Sequence, residues 1–173
     1  MKVIGIIGKK RAGKTTITAN FIKKLNRPRN YIYDVNNEYE RKLNIKNDYT
    51  GKIDIESFLS VLDPDKPSPI KNACIVFEEA TSYFSSKGRE NILVKIISRS
   101  RHYNNAVILI FHSLGGFPPY IYPFIDYVVL FKTNDFYNTL DNKFRKNEQF
   151  IKKYNEVKMS NDPHKFVFFE NEG

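Results

Sequence analysis

The stretch GKKRAGKT, residues 8–15, directly follows the apolar run VIGII at residues 3–7. No other feature of the chain constrains the fold as tightly. Gly8 and Gly13 bracket Lys9, Lys10, Arg11 and Ala12, and Lys14 with Thr15 closes the stretch. The spacing is G-x-x-x-x-G-K-[ST], with a strand pattern before it and a helical pattern after it. Glycines let a short loop turn its backbone amides inward, and the N-terminus of the following helix adds positive potential. Such a loop cradles phosphate groups. Parallel strands need a crossover, which a helix supplies, so a strand–loop–helix unit argues for a parallel sheet.

The loop residues Gly8, Lys9, Lys10, Arg11, Ala12, Gly13, Lys14 and Thr15, with Thr16 just after them, form the expected nucleotide site. Lys14 is placed to reach the terminal phosphates. The Thr15 hydroxyl is placed to ligate magnesium, and Thr16 adds a phosphate contact. The expected ligands are ATP and Mg2+.

The rest of the chain continues the alternation. Strand-like runs fall at residues 2–7, 31–35, 73–77, 106–111, 127–131 and 165–169. Helical spacing falls at 14–25, 55–62, 89–103 and 140–154, while 41–72 is otherwise the least regular part and 115–123 reads as a glycine- and proline-rich loop. The strand runs are apolar throughout, which predicts an α/β fold with a mostly parallel sheet covered on both faces. With 173 residues the chain suits one domain, spanning 1–173. No apolar run approaches the roughly 18 residues of a membrane span, so none is expected. The first apolar run is also too short for the core of a signal peptide. The single cysteine, Cys74, excludes an internal disulfide, and the three histidines show no zinc-site spacing.

The run CIVFEEA at residues 74–80 selects the chemistry. Four apolar positions end in Glu78 and Glu79. On a buried strand, the first acid faces the magnesium shell across the sheet, so Glu78 joins Thr15 as a metal ligand. The second acid can orient and deprotonate a water for attack on the γ-phosphate, so Glu79 is the candidate general base. Hydrolysis needs that second acid, whereas transfer to a bound acceptor does not. A small P-loop kinase acting on a nucleotide or small metabolite is the alternative; such enzymes do not usually carry tandem glutamates. A non-catalytic nucleotide switch is disfavoured by Glu79. A GTPase is excluded because DYTG at 48–51 follows no apolar strand and NKFR at 142–145 lacks the acid that reads guanine.

The extra strand at 31–35, the acid pair and a polar residue, His112, after the fourth strand resemble the additional-strand, catalytic-glutamate (RecA-like) class of P-loop NTPases. That resemblance implies the core strand order 5-1-4-3-2 and a γ-phosphate-sensing role for His112, with Ser113 next to it. In this class Asp is commoner where Glu78 stands. More narrowly, GKKRAGKT, YDVNNEYE (33–40), FEEA (77–80), SRSRHYN (98–104) and FHSLGGFP (111–118) resemble the FtsK–HerA superfamily and its compact viral and phage genome-packaging ATPases. The resemblance covers roughly residues 2–135. It implies ATP hydrolysis coupled to movement of double-stranded DNA without sequence preference. It also implies a homo-oligomeric ring of five or six subunits, a capsid vertex protein as a further partner, and a location in the host cytoplasm or with the virion. A neighbouring subunit supplies an arginine in that family; Arg101 matches its position, Arg99 is the fallback and Arg11 on the loop is the competitor.

Net charge is +9, which suits a polyanionic partner but equally a solvated basic surface. In TSYFSSKGRE, residues 81–90, Lys87 and Arg89 are placed to touch phosphates and Tyr83 and Phe84 to pack on sugars. The competing reading buries those aromatics.

Overall fold

A strand whose residues are all apolar must find cover on both of its faces, and this rule governs the architecture. The computed structural model describes residues 2–84, 87–135 and 147–171, without the side chains of 82 and 87–90. Five strands run parallel: β1 (Val3–Ile7), β2 (Arg29–Tyr33), β3 (Ala73–Phe77), β4 (Ala106–Phe111) and β5 (Tyr127–Phe131). A sixth, β6 (Phe166–Glu170), pairs antiparallel with β5. The sheet order is β2-β3-β4-β1-β5-β6, so the parallel core reads 5-1-4-3-2 as the class resemblance implies.

Helices α1 (Lys14–Leu25) and α2 (Glu38–Leu43) cover one face. On the other lie α3 (Ile55–Leu62), α5 (Lys87–Arg99) and α6 (Glu148–Lys158), with the single turn α4 (Ala80–Tyr83) between β3 and α5. Alternate strand residues serve the two layers. Ile4 and Ile6 pack with Ala19 and Ile22 of α1, while Val3 and Ile7 belong to the cluster of Leu93, Ile96 and Ile97 of α5. Burying one such side chain contributes about 1.5–3 kcal/mol. Because the strands are parallel, all five core strands deliver their C-terminal ends to one edge, where ligands bind in open α/β sheets.

Local signals set the element ends. Asp54 caps α3, its carboxylate accepting from Ser57 N at 2.8 Å and Ser57 Oγ at 2.9 Å. Asn147 caps α6 by accepting from Phe150 N at 2.9 Å, so this helix starts at Glu148. The helical spacing expected over 140–154 lies outside the described residues up to 146. β2 ends at Tyr33, short of the expected 35, because the Asp34 carboxylate gathers the next turn and starts α2, which the sequence pattern did not reveal. Within the loop expected at 115–123, Pro119–Phe124 forms a 3-10 helix, with Pro119 at its start where no amide donor is required.

Of the two readings of residues 81–90, burial of the aromatics holds for Tyr83. Tyr83 does not face solvent in a DNA-contacting loop; it is fully buried, edge-on to Phe77 at 4.8 Å and to Tyr33 at 5.6 Å. Phe84 is half-buried between Phe111 and Tyr120. Lys87 and Arg89 open α5, and their side chains lie outside the described residues.

Candidate active site

The phosphate loop leaves the end of β1 between its two neighbours. Gly8 N donates to Phe111 O of β4 at 3.1 Å, and Lys9 N donates to Lys132 O beyond β5 at 3.0 Å. A Cβ at Gly8 would stand 2.5 Å from the Phe131 Cβ, so only glycine lets the loop approach the sheet this closely. Gly13 takes the left-handed conformation, φ 100°, where the loop hands over to α1. Arg11 is also left-handed, at φ 64°. For an arginine this costs about 1–2 kcal/mol, strain of the kind that collects at functional loops.

Lys14 is buried, and its Nζ donates to Gly8 O and Lys9 O, both at 2.8 Å. Burial lowers its pKa to about 8; the Glu78 carboxylate opposes that shift and Lys10 reinforces it. Across the sheet, Thr15 Oγ1 donates to Glu78 Oε1 at 2.9 Å. The other carboxylate oxygen, Oε2, accepts from Tyr39 OH at 2.7 Å. Burial pushes Glu78 up to about 7, against the lowering effect of those two hydrogen bonds. Burial also raises the Tyr39 hydroxyl far above the ordinary phenol range, and the neighbouring Glu78 carboxylate adds to the rise.

Glu79, the next residue, is exposed. Its Oε1 lies 3.5 Å from Nε2 of His112, which emerges immediately after β4. Burial and the nearby Lys14 charge lower the His112 pKa, against the opposing effect of the Glu79 carboxylate. Its Nδ1 is buried and has no hydrogen-bond partner among the described residues. Lys10, Arg11, Gly13, Lys14, Thr15, Thr16, Glu78, Glu79 and His112 all line one cleft of about 470 Å³.

The other two candidate arginines lie elsewhere in the same chain. Arg101 pairs with Asp126 Oδ1 at 2.7 Å, and Asp126 Oδ2 accepts from Val3 N at 2.7 Å. That contact sits at the start of β1, whereas the phosphate loop leaves its end. Arg99 pairs with Asp65, which also pairs with Lys95.

Several neighbours of the cleft were not singled out as site residues by the sequence pattern. Tyr39 sits in a six-residue helix too short to show periodicity. Asp135 holds the turn after His112 by accepting from Leu114 N at 2.7 Å and Gly115 N at 3.1 Å. His164 reaches the loop, Nδ1 to Ala12 O at 3.4 Å, because the residues leading into β6 pass beside it. Tyr39 lies within YDVNNEYE, one of the segments that carry the resemblance, and a buried tyrosine needs an acceptor for its hydroxyl.

The donor set fits magnesium. Thr15 and Glu78 present hard oxygens side by side, and magnesium commonly takes only one or two protein oxygens besides phosphates and waters. Among the described residues no group of three or more His, Cys, Asp or Glu could hold a metal ion by itself.

No protein-family model matches the chain, and no curated protein does. Solved structures match over nearly its whole length. The genome packaging NTPase B204 from Sulfolobus turreted icosahedral virus 2, in complex with ATP-gammaS, superposes with a TM-score of 0.70 at 18% identity. The match covers 99% of this chain and 92% of that one. This chain has the P-loop NTPase fold. B204 from Sulfolobus turreted icosahedral virus, the DNA-packaging ATPase, gives a TM-score of 0.66 at 17% identity over 98% of this chain and 92% of its own. The virus 2 protein in complex with AMPPCP gives 0.67 at 18% identity, again over 98% and 92%. Among the described residues no helix is long and apolar enough to cross a membrane.

Proposed function

We propose that this chain is an ATP-hydrolysing translocase that moves double-stranded DNA during viral genome packaging. The observation that carries the reading is the convergence of Lys14, Thr15, Glu78, Glu79 and His112 on one cleft, in a fold that matches packaging NTPases end to end.

The loop amides and the start of α1 receive the phosphates of ATP. Lys14 leaves the Gly8 and Lys9 carbonyls and turns to the β- and γ-phosphates. Thr15 and Glu78 would hold magnesium, which when bound would neutralise phosphate charge in the developing transition state. Glu79 orients a water and accepts its proton as the water oxygen bonds to the γ-phosphorus. The bond from that phosphorus to the β–γ bridging oxygen breaks, releasing ADP and phosphate. His112, beside Glu79, links the state of the γ-phosphate to the end of β4. A neighbouring subunit contributes an arginine to the γ-phosphate, with Arg101, Arg99 and Arg11 as the candidates. The ring has five or six subunits, encloses the duplex and docks on a capsid vertex protein, in the host cytoplasm or on the virion.

ATP turnover measured with and without duplex DNA, paired with mass in solution, tests this reading. We expect an oligomer whose turnover rises with duplex of any sequence. DNA binding should fall steeply with salt, because phosphate contacts dominate such an interface. A monomer indifferent to DNA that passes phosphate to a small acceptor would overturn the proposal.

A further inference from the structure

The segment 34–39 has no part in the chemistry above, yet it reaches the metal ligand. Asp34 Oδ1 accepts from Asn36 N at 3.1 Å and Oδ2 from Tyr39 N at 2.9 Å. Asn37, left-handed at φ 51°, then starts α2. This turn directs the Tyr39 ring into the core beneath α1, where it is 1% exposed and packs in the cluster of Ala19, Ile22, Ile32 and Val76. Only the hydroxyl end of the ring meets the site. It donates to Glu78 Oε2, while Thr15 donates to Oε1.

A glutamate has one more side-chain torsion than the aspartate commoner at this place in the fold class. Its carboxylate therefore needs more to hold it. Two hydrogen bonds on separate oxygens fix both the position and the plane of the Glu78 carboxylate. We propose that Tyr39 is a positioning residue that sets Glu78 against Thr15 and so preforms the magnesium site. The inference rests on the reading of Thr15 and Glu78 as magnesium ligands. Outer hydrogen bonds of this kind orient ligands and typically govern about ten- to a hundredfold in metal affinity or activity.

Tyr39→Phe keeps the ring in its buried slot and removes only the donor. Binding of a fluorescent ATP analogue, titrated with MgCl2 and repeated in EDTA, reads the effect without turnover. The expected result is a half-saturating magnesium concentration raised about tenfold or more, with EDTA binding and thermal midpoint unchanged. In a Glu78→Asp background, where the shorter acid falls back from the phenol, Tyr39→Phe should add no further shift, since the two residues act as one unit. An unchanged magnesium requirement, an equal loss in EDTA, or additive shifts in the double variant would overturn the inference alone. Nucleotide binding by the unsubstituted chain that ignores magnesium would overturn the metal reading as well.

Discussion

Glu79→Gln is expected to bind ATP as the unsubstituted chain does and to turn it over about two to four orders of magnitude more slowly. The amide is nearly isosteric, and Glu79 is exposed to the cleft rather than buried in the core, so the fold should not register the change. What disappears is the acceptor for the water's proton. Glu78→Gln should behave differently. Its carboxylate accepts from Thr15 and Tyr39, and an amide can satisfy only one of those donors with oxygen. Magnesium-dependent nucleotide binding should therefore weaken together with turnover. Single-turnover hydrolysis and nucleotide binding, measured on both variants, separate the roles. Normal hydrolysis by Glu79→Gln with loss in Glu78→Gln would reverse the assignment.

The second large effect is at the loop lysine. Lys14→Ala should reduce ATP hydrolysis to background and weaken nucleotide binding by about ten- to a hundredfold, the worth of charge-assisted hydrogen bonds to the phosphates. The fold should survive. Lys14 satisfies the carbonyls of Gly8 and Lys9 and itself lines the cleft, where water can take the place of its ammonium. This variant also tests the shared site. Arg101→Ala, impaired in hydrolysis but able to bind ATP, should regain activity when mixed with Lys14→Ala, because some interfaces then combine an intact lysine with an intact arginine. The same mixing with Arg11→Ala gives no recovery if Arg11 serves its own nucleotide. Near-normal turnover in Lys14→Ala would contradict the phosphate-loop reading, and full activity in each arginine variant would contradict the shared site for Arg101 and Arg11.

The parts legible in the sequence were those written in local pattern. The loop signature, the apolar strands and the acid pair are contiguous, so 73–77, 106–111 and 127–131 coincide with β3, β4 and β5 to the residue. The strand order followed from the class resemblance, not from any one stretch. What stayed hidden depends on residues far apart in sequence. Tyr39 finds Glu78 across 39 positions, and His164 finds Ala12 across 152. Tyr83 was open between surface and core in the sequence, because it stands beside polar and basic residues, and the turn after β3 carries it under the sheet against Phe77. The left-handed Arg11 was likewise invisible, because arginine gives no sign of such a backbone.

If hydrolysis moves the protein along DNA, displacement of a third strand from a duplex measures that movement itself. A triplex-forming oligonucleotide placed at one site on a long duplex should be stripped when the unsubstituted protein is given ATP and magnesium. It should remain bound with a non-hydrolysable analogue, or with Glu79→Gln or Lys14→Ala in place of the unsubstituted protein. ATP hydrolysis that is stimulated by DNA but never displaces the third strand would contradict translocation.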